Sequence, residues 1–135
     1  MIALRYFLAT ILGVAAYCYC YHPWLPYSAR ERSMTAAGFG VVVAAALLGG
    51  FVLAWGARPH RYRIAAAFLA GMFAANAYVI AADWAVDPTD HNLFPFEFII
   101  LGIVASPAFL GAALGGRKKR GRAVALPEIA NSQGS

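Results

Sequence analysis

The chain has 135 residues and a formal net charge of +5, with 61% of its residues hydrophobic and 13% charged. A soluble domain carries about 25% charged residues, so there are too few charges here to cover a water-facing surface, and the mean hydropathy of +0.62 agrees. The length allows one domain, and the basic residues sit at the ends of apolar runs instead of along one soluble face, which excludes a nucleic-acid-binding module.

Four apolar runs are each long enough to cross a hydrocarbon core of about 30 Å as a helix of roughly 20 residues. The first, Ile2 to Tyr21, stops at His22-Pro23-Trp24-Leu25-Pro26. The second, Met34 to Trp55, stops at Gly56-Ala57-Arg58-Pro59. The third, Ile64 to Ala82, ends at Asp83; the fourth, Phe96 to Gly115, runs into the basic stretch Arg117-Lys118-Lys119-Arg120. The expected fold is all-α: an integral membrane four-helix bundle over 1–116, followed by a basic, disordered cytoplasmic tail over 117–135. Strands are excluded, because the runs do not alternate and open sheet edges have no place in lipid.

Lys and Arg set the direction of insertion. With the N-terminus inside, Arg5, then Arg58, Arg61 and Arg63, then Arg117, Lys118, Lys119, Arg120 and Arg122 are all cytoplasmic. Only Arg30 and Arg32 fall outside, together with Glu31, Asp83, Asp87, Asp90 and Glu97. The chain is therefore expected to be N-in and C-in, with an acidic outer loop before the last helix, in a bacterial inner membrane. Its basic inner face would lie against anionic headgroups. A competing reading takes Arg5, the first apolar run and Ala15-Ala16 as a cleavable signal peptide, leaving three spans of the same orientation. Tyr17, Tyr19, Tyr21 and Trp24 read instead as an outer aromatic belt on a retained span.

Small residues recur at a spacing of four in the spans, at Ala9/Gly13, Gly40/Ala44, Ala45/Gly49, Ala67/Gly71/Ala75, Gly102/Ser106 and Gly111/Gly115. In lipid, such positions let helix backbones approach closely. Pro107 lies mid-way along the fourth span, cannot donate its backbone bond, and predicts a kink that frees the carbonyl of Ile103. Asn76 falls at the same depth in the third span, so its amide is expected to face the fourth helix and bond Ile103 or Ser106.

The polar residues that could carry chemistry are Asn76, Asp83, Asp87, Asp90, His91, Asn92 and Glu97. Asn92 is an expected N-cap, and Glu97 suits the positive end of the last helix. One reading gathers the carboxylates and His91 around a cation or a proton path. The other pairs Asp87 and Asp90 with Arg30 and Arg32 as a lid, and accounts for two arginines lying on the acidic side. The lid is the expectation adopted. Cys18 and His22 share a helical face at i, i+4 and are the weak candidates for a soft metal; a buried cysteine otherwise behaves as a small apolar residue. Nothing in the pattern calls for a cofactor.

The run Pro88-Thr89-Asp90-His91-Asn92-Leu93-Phe94-Pro95-Phe96-Glu97 resembles a segment of short uncharacterised bacterial membrane proteins, in which a similar His-Asn-Leu-aromatic-Pro stretch introduces the last span. The resemblance implies that His91, Asn92, Pro95 and Glu97 act as a unit, and it implies no activity. The expected function is a non-catalytic accessory, assembly or stabilising subunit, with a membrane-protein partner or further copies of itself. A small oligomeric transporter or channel is the alternative, and a metal- or quinone-handling protein the third.

Overall fold

In a computed structural model of the chain, which describes residues 1–87 and 94–116, every described element is a helix. The order is α1 (Ile2–Tyr21), α2 (Tyr27–Ser33), α3 (Ala36–Ala54), α4 (Arg61–Trp84), α5 (Phe94–Ala105) and α6 (Pro107–Gly115). Four segments are long and apolar enough to cross a membrane: α1, α3, α4 and the stretch Pro95–Gly115 that α5 and α6 share. The chain is thus a multi-pass helical membrane protein. The tail 117–135 lies outside the described residues.

Local chemistry ends each helix. α1 stops where His22 adopts a left-handed conformation at φ 47 and its N–H bonds the Cys18 carbonyl, one residue before a proline that cannot continue the ladder. The connection from α1 to α3 is not all loop: α2, one short helix, occupies half of it. α3 starts at Thr35, whose Oγ1 accepts from the Gly38 N–H at 3.1 Å, a side-chain cap for one of the orphan donors of a helix start. It ends at a turn in which Gly56 supplies φ 68, a conformation with no steric cost only for glycine. Pro107 breaks the last span as predicted. Ser106 forms the junction, and its N–H and Oγ both donate to Ile103 O, at 3.2 and 2.7 Å.

The packing order departs from the chain order. The closest pairs are α1 with α4 and α3 with α6, each a parallel pair of non-consecutive spans. Hydrophobic burial does not drive association in lipid, so van der Waals contact must, and glycine provides it. A Cβ on Gly13 would run into the Phe68 carbonyl, and one on Gly71 into that of Thr10. In the second pair, Gly50 meets the Ala108 backbone and Gly111 the Leu47 backbone. Ala9, Val42, Ala46, Ile64, Phe68, Met72, Leu101 and Ala105 fill the space between the pairs. Gly40, by contrast, has open space around it, so the Gly40/Ala44 motif is not used within the bundle.

Candidate functional site

The parallel pairing brings polar side chains together at two levels of the α1/α4 seam. At the end of the bundle that carries residue 1 and the 55–60 turn, here the proximal end, Tyr6 Oη and His60 Nδ1 are hydrogen-bonded at 2.9 Å. Beside them Arg5 donates to Leu53 O at 3.1 Å and Trp55 O at 2.6 Å. These carbonyls end α3, where a cation also meets the negative pole of the helix. Arg61 stacks over the Tyr62 ring at 4.6 Å, and Arg58 and Arg63 are exposed at the same end.

Toward the distal end the seam becomes a buried polar cluster. Tyr17 donates its hydroxyl to Asn76 Oδ1 at 2.9 Å, with both residues fully buried. One level further out, Arg30 reaches from α2 to Asp83 at the end of α4, with Nη1 to one carboxylate oxygen at 2.5 Å and Nη2 to the other at 3.1 Å. The guanidinium also donates to Leu25 O from Nε and to Pro23 O from Nη2, at 2.7 and 3.1 Å. Arg30 is 6% exposed. One side chain thus fastens the 22–26 connection, α2 and the end of α4 together, with the bidentate geometry that distinguishes Arg from Lys. Glu97, in the first turn of α5, lies within Coulombic reach of the Tyr17 hydroxyl.

No protein-family model, curated protein or solved structure matches this chain.

The geometry revises several expectations. Asn76 does not bond the fourth span: Tyr17 takes its oxygen, while Ile103 faces outward at 67% exposure and its carbonyl is used by Ser106. The reason is the glycine contact, which draws α4 onto α1. Arg30 pairs with Asp83, a partner that the expected lid did not include. Asp87 is exposed, its N–H donating to Asp83 O, and Arg32 is exposed on α2. Asp90, His91, Asn92, Arg117, Lys118, Lys119, Arg120 and Arg122 lie outside the described residues.

Cys18 and His22 do not share a face either. The left-handed turn at His22 swings the imidazole away, so that His22 and Cys20 line a pocket toward α3 while Cys18 lines a groove toward α4. Among the described residues no group of three or more His, Cys, Asp or Glu could hold a metal ion.

Tyr17, expected in an outer aromatic belt, is instead fully buried and bonded to Asn76; no expectation covered Tyr6, His60 or the capping role of Arg5. For Tyr17 a signal existed: it follows Ala9 and Gly13 at the same spacing of four, and so shares their packed face.

Proposed function

We propose that the protein is a non-catalytic accessory subunit that binds a transmembrane helix of a larger membrane protein through the outward face of α4. The observation that carries this reading is a contrast between exposed faces. α1 turns Leu4, Phe7, Leu8 and Ile11 outward, α3 turns Val41, Leu48 and Val52, and α5 with α6 turns Ile99, Ile100, Ile103 and Leu110. The outward face of α4 is mostly alanine: Ala66, Ala70, Ala74, Ala77 and Ala81 are all exposed and fall on one stripe, beside which Tyr78 is the one large side chain within the span, at 76% exposure. Lipid chains fit large apolar side chains as well as small ones. A helix backbone is admitted to close range only by small ones.

The internal polar groups support the same reading. Tyr6 with His60 and Tyr17 with the Asn76 oxygen form two separate clusters, and between them Gly13 meets the Phe68 backbone and Gly71 the Thr10 backbone. That arrangement suits a packing subunit better than a conducting path through one copy. In this reading the proximal end, with Arg5, Arg58, Arg61 and Arg63, faces the cytoplasm of a bacterial inner membrane and its anionic headgroups.

The test is purification of the tagged protein from its native membrane, with Ala70→Leu and Ala77→Leu compared with Ala44→Leu on the exposed face of α3. The α4 variants are expected to keep wild-type abundance and thermal stability and to lose a stoichiometric partner, which the α3 variant retains. A partner retained by both α4 variants, or a chain that purifies alone as a defined oligomer, would overturn the reading.

A further inference from the structure

Two grooves of similar size flank α1, and they end differently. The groove between α1 and α3, about 550 Å³, is walled by Leu8, Ile11, Ala45, Leu48 and Val52, and no lining residue is charged. It has nothing with which to tell one hydrocarbon chain from another. The groove between α1 and α4, about 490 Å³, is walled by apolar residues such as Val14, Ala74 and Val79, but Arg30 and Asp83 close its distal end. Small-molecule sites of about 300–1,000 Å³ combine an apolar lining with a few placed polar groups in this way. From Ala74 to Asp83 the groove follows α4 for about 14 Å at the helical rise, roughly one leaflet of a 30 Å hydrocarbon core.

The polar end has a defined hydrogen-bonding capacity. A guanidinium carries five N–H groups. Among the described residues, the four bonds from Arg30 to Leu25, Pro23 and the two Asp83 oxygens leave one N–H of Nη1 without an acceptor, in a residue 6% exposed. The charge of Arg30 is already balanced by Asp83, so an anionic head would gain little attraction and would meet the carboxylate as a like charge. An uncharged carbonyl satisfies the donor without that repulsion.

We infer that the α1/α4 groove binds a membrane amphiphile, its chain between Val14 and Val79 and its uncharged, hydrogen-bond-accepting head on the remaining N–H of Arg30. The α1/α3 groove takes hydrocarbon without selection. The groove borders the partner-docking stripe at Ala74, whereas Ala82, at its distal end, lies off the stripe formed by Ala66 to Ala81.

The experiment uses the intact protein in nanodiscs and three probes of equal chain length with a diazirine near the chain end: a monoacylglycerol, a fatty acid and an alkane. Crosslinked peptides are mapped by mass spectrometry. The monoacylglycerol is expected to prefer the α1/α4 groove over the α1/α3 groove by about tenfold, the effect of one hydrogen bond to a charged group, while the alkane labels both alike. Ala82→Phe, which fills the distal end from an exposed position, should bring the monoacylglycerol down to the alkane's ratio with thermal stability unchanged. Equal partition of monoacylglycerol and alkane would overturn the inference, as would an unchanged preference in Ala82→Phe. Stronger labelling by the fatty acid would overturn the uncharged head.

Discussion

The two closest helix pairs solve the same packing problem with different chemistry. The α3/α6 pair is held by shape, with Gly50 and Gly111 admitting the opposing backbone and apolar side chains around them. The α1/α4 pair uses the same glycine device at Gly13 and Gly71 and adds the Tyr6–His60 and Tyr17–Asn76 bonds along its seam, with the Arg30–Asp83 pair above it. Shape alone brings two helices together but tolerates small slips along the seam. A directional bond at each end fixes the register, since each donor and acceptor meets at one offset only. The pair with the fixed register also contains α4, whose exposed alanine stripe is where a partner would need a surface of constant shape.

Substitutions can break this comparison. The largest effect should come from the device the pairs share: Gly71→Leu and Gly111→Leu each force backbone apart, at a cost at or above the ~1–3 kcal/mol of overpacking. Both should abolish folded protein, seen as loss of a monodisperse peak in detergent; a stable Gly111→Leu would mean that the second pair is not closed by its glycine. Next comes Arg30→Ala, which takes the guanidinium from the partly buried Asp83 carboxylate and should cost at most about 3–5 kcal/mol. The double change Arg30→Met with Asp83→Leu should be milder than either single change, as read by thermal unfolding, and should leave amide exchange in α2 faster than in the wild type. Smallest is Tyr17→Phe, at about 0.6–2 kcal/mol for one intramembrane hydrogen bond. Asn76→Leu should match it in a double-mutant cycle, with little further loss when the two are combined, and additive losses would show that the two side chains act independently.

The spans were legible in the residues because lipid imposes a simple rule of length and polarity, and the break at Pro107 because a missing N–H has one consequence. The partners were harder. Loop length alone pairs Asn76 with the helix that follows it, whereas register and neighbour are decided by where glycines on non-consecutive spans coincide. The expected lid gives Arg30 to Asp87 or Asp90 and gives Asp83 no arginine, since nothing local says that α2 exists to carry the arginine across. The third span contains two small-residue stripes, Ala67/Gly71/Ala75 and Ala66/Ala70/Ala74, one residue apart. Only packing distinguishes the stripe that is used inside from the stripe left outside.

Pairing each span with the one two places later has a consequence for biogenesis. During synthesis α1 enters the membrane with no tight partner until α4 follows, and α3 waits in the same way for α6, an interval of several seconds at about 5–20 residues per second. Tyr17 and Arg30 meanwhile have no Asn76 or Asp83 to satisfy them. The nascent chain is therefore a poor substrate for premature release, and a ribosome that stops before Gly111 leaves a product with an uncovered glycine seam for membrane proteases to find.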